Sequence, residues 1–138
     1  MMTKAALIPC LASFALFTLA GCNTAIRGDA DVAEYNAQPL SMPIPSDVSG
    51  SVLEDAMKST FQGRHWTVVS SSSDKVTAVL NHNGYEAKAS MVREGDTVKI
   101  YSDSTMTDPK TGEQIQAVPL GWLENLQKDF PRRLAQAS

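Results

Sequence analysis

Residues 75–103 read KVTAVLNHNGYEAKASMVREGDTVKIYSD, and this stretch decides the fold. Asn83-Gly84 stands between two runs that alternate apolar and polar residues. The tightest hairpin turn needs positive φ at both central positions, which Asn and Gly supply most readily. With Asn83-Gly84 as a two-residue turn, His82 faces Tyr85, and Leu80–Ala87, Ala78–Ala89 and Val76–Met91 share one face. Asn81–Glu86, Val79–Lys88 and Thr77–Ser90 fall on the other. One face is apolar and the other polar, and a slip of one residue would exchange them. Glu94-Gly95 as a second two-residue turn pairs Met91 with Val98 and Ala89 with Ile100. It sets Lys88 opposite Tyr101 and Glu86 opposite Asp103. The stretch thus predicts an antiparallel meander with one wet face, on whose dry face Ala78, Ala87 and Ala89 leave room for helices.

Working outward, Trp66 to Ser70 is β-prone, and Ser71 to Asp74 makes the turn into the meander. Before it, Ser51 and Glu54 have capping-box spacing. Val52, Leu53, Ala56, Met57 and Phe61 then fall on one helical face, and Gly63 is the natural stop. Beyond the meander, 105–117 is expected to be a long loop holding the turn formers Asp108-Pro109 and Thr111-Gly112. A second helix opens at Pro119, with Trp122, Leu123, Leu126, Phe130 and Leu134 on one face. Pro131 predicts a kink or stop near Asp129, with a frayed tail over 132–138. The expectation is an α+β two-layer sandwich: a four-stranded antiparallel sheet with two helices on one face, in the order α-β-β-β-β-α.

The amino-terminal part has another character. Lys4 precedes the apolar run Ala5 to Ala20, which is too short for a comfortable membrane span and reads as a signal peptide. It closes on Leu19-Ala20-Gly21-Cys22, a sequence that resembles the lipobox of bacterial lipoproteins. The resemblance implies cleavage before Cys22, acylation of that residue, and attachment to a membrane through its acyl chains alone. Asn23 in the next position implies, by likeness to enteric lipoproteins, the outer membrane with the domain facing the periplasm. Three regions follow: a signal peptide at 1–21, the acylated cysteine with a flexible tether at 22–48, and a single α+β domain at 49–138. Pro39, Pro43 and Pro45 predict an extended, unpacked tether spanning roughly 25–30 Å.

Composition narrows the functions. The chain has a formal net charge of −3, and removal of Lys4 with the signal peptide makes the remainder about −4. Mild acidity argues against nucleic acid or an anionic membrane surface as main partner. Its two cysteines are Cys10 and Cys22, so the folded part has no disulfide and relies on its own core.

The folded part also resembles a group of small Gram-negative envelope lipoproteins over about residues 51–130. The likeness is carried by Trp66, by Ile100-Tyr101-Ser102-Asp103-Ser104, and by Trp122-Leu123-Glu124-Asn125-Leu126. It implies the fold and the envelope location and brings no activity.

Chemistry is sparse. A metal site would need His65 and His82 together with carboxylates, and no thiol is at hand, so neither metal nor cofactor is expected. Ser102-Asp103-Ser104 offers a nucleophile and an acid, but there is no Gly-x-Ser-x-Gly elbow and no evident base. The chain is therefore expected to be a non-enzymatic interaction module that contacts an envelope protein. Val79, Lys88 and Tyr101 in a row across the wet face, with Lys99 beside them and Val92 near one end, form the candidate contact. The alternative is a module for a small ligand, lipid or peptidoglycan fragment, with a pocket among Trp66, Tyr85 and Trp122. A hydrolase using Ser102 or Ser104 with a histidine is the remote third.

Overall fold

The computed structural model describes residues 25–138; the signal segment and Cys22 lie outside the described residues. The elements in chain order are β1 (Ile26–Arg27), α1 (Asp29–Ala37), β2 (Leu40–Pro43), α2 (Gly50–Gln62), β3 (Thr67–Ser71), β4 (Lys75–His82), β5 (Tyr85–Glu94), β6 (Thr97–Ser102), β7 (Thr105–Thr107), β8 (Gln114–Val118) and α3 (Leu120–Ala137).

The first hairpin has the predicted register. His82 pairs with Tyr85, Leu80 with Ala87, Ala78 with Ala89 and Val76 with Met91, and Asn83 and Gly84 both take positive φ, 50° and 82°. The second hairpin differs by two residues. Glu94 pairs with Thr97, so the turn is Gly95-Asp96, and Met91 meets Ile100 while Ala89 meets Ser102. The reason is local. Gly95 takes φ 65° at the first turn position, whereas the expected turn would have forced Glu94 there. A two-residue shift leaves every side chain on its own face, so the dry and wet faces survive the correction.

The expected four-stranded sheet with two helices is overturned: the described residues form eight strands and three helices. β5 is the trunk of an antiparallel sheet. One side of it carries β4 and then β3. The other side is shared: its C-terminal half pairs with β6, which pairs with β2, and its N-terminal half pairs with β7, followed by β8 and β1. The supposed loop 105–117 is thus a hairpin that continues the sheet. The supposed tether supplies two of the edge strands, β1 and β2, together with α1.

Why the tether residues fold is visible in their contacts. Met42 and Ile44 are buried with Val32 and Tyr35, and Leu40, Met42 and Ile44 keep a period of two. Pro43 is tolerated because β2 is an edge strand with β6 as its one neighbour. α1 lies where the two branches of the sheet part. Tyr35 donates its hydroxyl to the Ile100 carbonyl at 2.7 Å. The Asn36 amide donates to the Ser102 carbonyl at 2.8 Å and accepts from the Ser102 N–H at 3.0 Å. Asn36 therefore completes the β6 ladder just past the last β2 pair. Burial pushes the Tyr35 hydroxyl up to about 12. At the same junction Ser104 Oγ accepts from the Lys88 N–H at 2.9 Å, standing in for a backbone partner between β6 and β7.

α2 and α3 pack against each other and cover the dry face. Leu53, Ala56, Met57, Phe61, Leu123, Leu126 and Phe130 are fully buried, each large side chain contributing about 1.5–3 kcal/mol of transfer free energy. The cap of α2 is Ser49, not Ser51; its hydroxyl accepts from the Val52 N–H at 3.2 Å. α3 does not stop at Pro131 but runs through it to Ala137, because Phe130 and Leu134, at 0% and 7% exposure, anchor the turns on either side in the core. Among the described residues no helix is long and apolar enough to cross a membrane.

Candidate functional site

A groove of about 540 Å³ opens where the end of α2, the outer side of α3 and the end of the β4–β5 hairpin meet. Its back wall is aromatic. Trp66 packs on Phe61 at 5.4 Å between ring centroids and meets Trp122 edge-on at 6.5 Å. Tyr85 and His82 lie 5.1 and 6.0 Å from Trp122. The structure therefore brings Trp66, Tyr85 and Trp122 together. Trp66 is buried at 3%, while Tyr85 and Trp122 are partly open and His82 is exposed. His82 was not among the pocket residues expected from sequence; its place is set by the hairpin register.

The local structure that shapes this wall is the end of α2. Trp66 N–H bonds to the Phe61 carbonyl at 3.1 Å and His65 N–H to the Gln62 carbonyl at 3.0 Å, the pair of bonds of a Schellman stop. His65 takes the left-handed position at φ 70°. Gly63, expected to be the stop, is right-handed at φ −66°. Its lack of a side chain serves packing instead, because a Cβ there would overlap the Arg133 guanidinium.

The rim is basic. Arg64, Lys128, Arg132 and Arg133 line the groove with one carboxylate, Asp129. Arg64 donates to Asp129 at 2.6 and 3.2 Å. Arg132 lies 3.8 Å from the same carboxylate. The Asp129 side chain is 8% exposed, and the Arg64 hydrogen bonds hold its carboxyl below the usual carboxylate range. Arg133 Nε is buried without a hydrogen-bond partner. Sequence reasoning missed this cluster. Its signal was the spacing of Trp122, Asn125 and Asp129, with Arg132 and Arg133 three and four residues beyond Asp129, which sets them along one side of α3.

The second candidate region is the wet face of the sheet. Val79 lies opposite Lys88. Lys88 is not opposite Tyr101, as the expected second turn implied; Tyr101 pairs with Ser90, and Val92 with Lys99. Glu86 likewise pairs with Thr105 rather than Asp103. Tyr101 donates its hydroxyl to Glu94, and Lys99 Nζ lies 3.1 Å from the same carboxylate. That bond raises the Tyr101 hydroxyl above the ordinary tyrosine value. With the Lys99 ammonium, it also holds the Glu94 carboxyl down. A shallow depression of about 370 Å³ on this face is lined by Val69, Thr77, Lys88, Ser90 and Tyr101 among others. Val69, at 55% exposure, is the extra residue of a β-bulge in β3.

The serines are committed to structure. Ser102 and Ser104 are 4% and 2% exposed, their hydroxyls bond each other at 2.9 Å, and Ser104 also binds the Lys88 backbone. Among the described residues no three His, Cys, Asp or Glu side chains gather as a metal site would require. No protein-family model, curated protein or solved structure matches the chain.

Proposed function

We propose that this chain is a membrane-anchored binding module whose groove between α2, α3 and the β4–β5 hairpin holds a small molecule. One observation carries the proposal: a ring wall of Trp66, Trp122 and His82, with Tyr85 packed on Trp122 beyond the lining, borders an open groove of about 540 Å³. That volume lies within the range of small-ligand sites, and the rings stand against a rim that is mostly polar and basic. A groove without a placed nucleophile suits binding rather than turnover. The lipobox-like Leu19-Ala20-Gly21-Cys22 supports anchoring through acyl chains on Cys22, and Asn23 after it supports the outer membrane as the site.

The test is native mass spectrometry of the acylated protein extracted from its membrane, beside a Trp122→Ala variant whose melting temperature is checked first. Trp122 is only partly buried, so the variant is expected to stay folded and to lose a non-covalent adduct carried by the parent. Identical adduct patterns in the two proteins, or none in the parent, would overturn the proposal.

A second use of the molecule is supported by Val69, exposed beside Lys88 and Tyr101 on the wet face. An apolar side chain inside a polar rim suits contact with an envelope protein. Photo-crosslinking from position 101 in intact cells gives a discrete protein adduct on this view, and an empty result removes it.

A further inference from the structure

We infer that the groove recognises a phosphate group, as a monoester or a diphosphate, carried on a ring that lies against Trp122. This rests on the binding function proposed for the groove and names its ligand class. The chain is acidic overall, with a formal net charge of −3, yet Arg64, Lys128, Arg132 and Arg133 stand around the groove with Asp129 as the one carboxylate. Both histidines on the rim add no negative charge. A basic recess in an acidic protein focuses the field on one place and raises the local concentration of anions there.

Asp129 is occupied by the fork of Arg64, at 2.6 and 3.2 Å. Arg132 reaches it only at 3.8 Å and is 61% exposed. Among the described residues Lys128 and Arg133 form no ion pair. Asp55 shares an adjoining depression with Arg133, and even with it counted, the four cations outnumber the two carboxylates around this recess. A phosphate monoester or a diphosphate brings close to two charges or more, with several acceptor oxygens that guanidinium forks match in shape.

Arg133 is not free to swing in solvent: its Nε is buried without a partner, and its guanidinium occupies the space that Gly63 leaves open. The fold confines a cation at the wall when a side chain at 63 would have displaced it. Beside it, Trp122 is partly open, with His82 and Tyr85 against it. A sugar or base can stack there while its phosphate reaches the rim.

The experiment uses the acylated protein in detergent micelles with the indole N–H signals of Trp66 and Trp122 followed by NMR. The probes are uridine diphosphate, uridine, pyrophosphate, and vesicles with or without phosphatidic acid. Uridine diphosphate is expected to move the Trp122 signal and to bind at least about tenfold more tightly than uridine or pyrophosphate. Its affinity should fall as salt rises, and fall by about tenfold or more in Lys128→Glu/Arg132→Glu. Both positions are exposed, so the variant keeps its fold, and an unchanged melting temperature verifies this. A response to phosphatidic acid vesicles in place of the soluble probe overturns the ring-borne ligand and makes the source of the phosphate a lipid headgroup. Equal binding of uridine and uridine diphosphate leaves the groove as a binding site and overturns the phosphate. So does unchanged affinity in the double variant, or a Trp122 signal unmoved by every probe at millimolar concentration. A phosphorus-free molecule found on the extracted protein and lost in Trp122→Ala would have the same meaning.

Discussion

His65 holds φ 70° at the stop of α2, a place that glycine fills in most helices because a Cβ there crowds the neighbouring carbonyl. A non-glycine residue in that conformation costs on the order of 1 kcal/mol. The His65 side chain is exposed at the groove rim, so its removal leaves no hole in the core. His65→Gly is therefore expected to stabilise the domain by about 1 kcal/mol, raising the melting temperature by about 4 °C. Scanning calorimetry of the two proteins checks this. An unchanged or lower melting temperature would mean that His65 makes a contact worth more than its strain. This position could not be read from sequence. Gly63, two residues earlier, is the stop that any local rule selects, and the real one is fixed by Trp66 closing on Phe61. The second hairpin has a similar lesson: Glu94-Gly95 and Gly95-Asp96 give registers that differ by two, and hydrophobic alternation cannot separate registers of the same parity.

Elements differ in how much of their stability is local. The β4–β5 hairpin was legible because Asn83-Gly84 and the alternation on either side agree. α1 was not, since its hold on the sheet comes from Tyr35 and Asn36 reaching backbone groups more than sixty residues away. No window of sequence contains that bond. β2 did carry a signal, the alternation of Leu40, Met42 and Ile44, which the prolines at 39, 43 and 45 concealed. α3 shows packing overriding a local rule. A proline inside a helix removes one hydrogen bond and costs about 3 kcal/mol, yet the helix continues past Pro131 because Leu134 is buried beyond it. Leu134→Ala is accordingly expected to cost about 2 kcal/mol, measured by urea unfolding. A frayed tail, as the proline alone suggests, would give a change near zero. The candidate pocket was partly legible, since the aromatic positions Trp66, Tyr85 and Trp122 stand out in the sequence. Its charge was not, because Lys128, Arg132 and Arg133 read as an ordinary solvated face until Arg64 is seen to approach from α2.

For the whole molecule, the docking of 26–44 changes how the domain stands relative to a membrane. With Cys22 acylated, an unpacked segment to residue 48 would have given a reach of roughly 25–30 Å. The structure begins β1 at Ile26, which leaves residues 23–25 between the lipid and the sheet, a reach of at most about 15 Å. The domain is then held close against the bilayer. Asp29, Asp31 and Glu34 are exposed beside Arg27 at this end of the domain, so under the proposed anchoring acyl chains rather than surface charge would keep it there. Docking is reversible in principle, because the segment is fastened by a few identifiable groups. The Tyr35 ring and its bond to Ile100, together with the two Asn36 bonds to Ser102, hold the helix. Each such bond contributes about 1 kcal/mol and the buried ring about 2 kcal/mol more. Tyr35→Ala/Asn36→Ala is thus expected to release the segment and let the domain move outward. A fluorophore on Val69→Cys, in a mature chain whose own cysteine is acylated, reports the distance to an acceptor in the lipid headgroups. Energy transfer should fall in the double variant while the β4–β5 hairpin stays protected from hydrogen exchange. Equal transfer in both proteins would mean that contacts of Val32, Met42 and Ile44 suffice to keep the leash short.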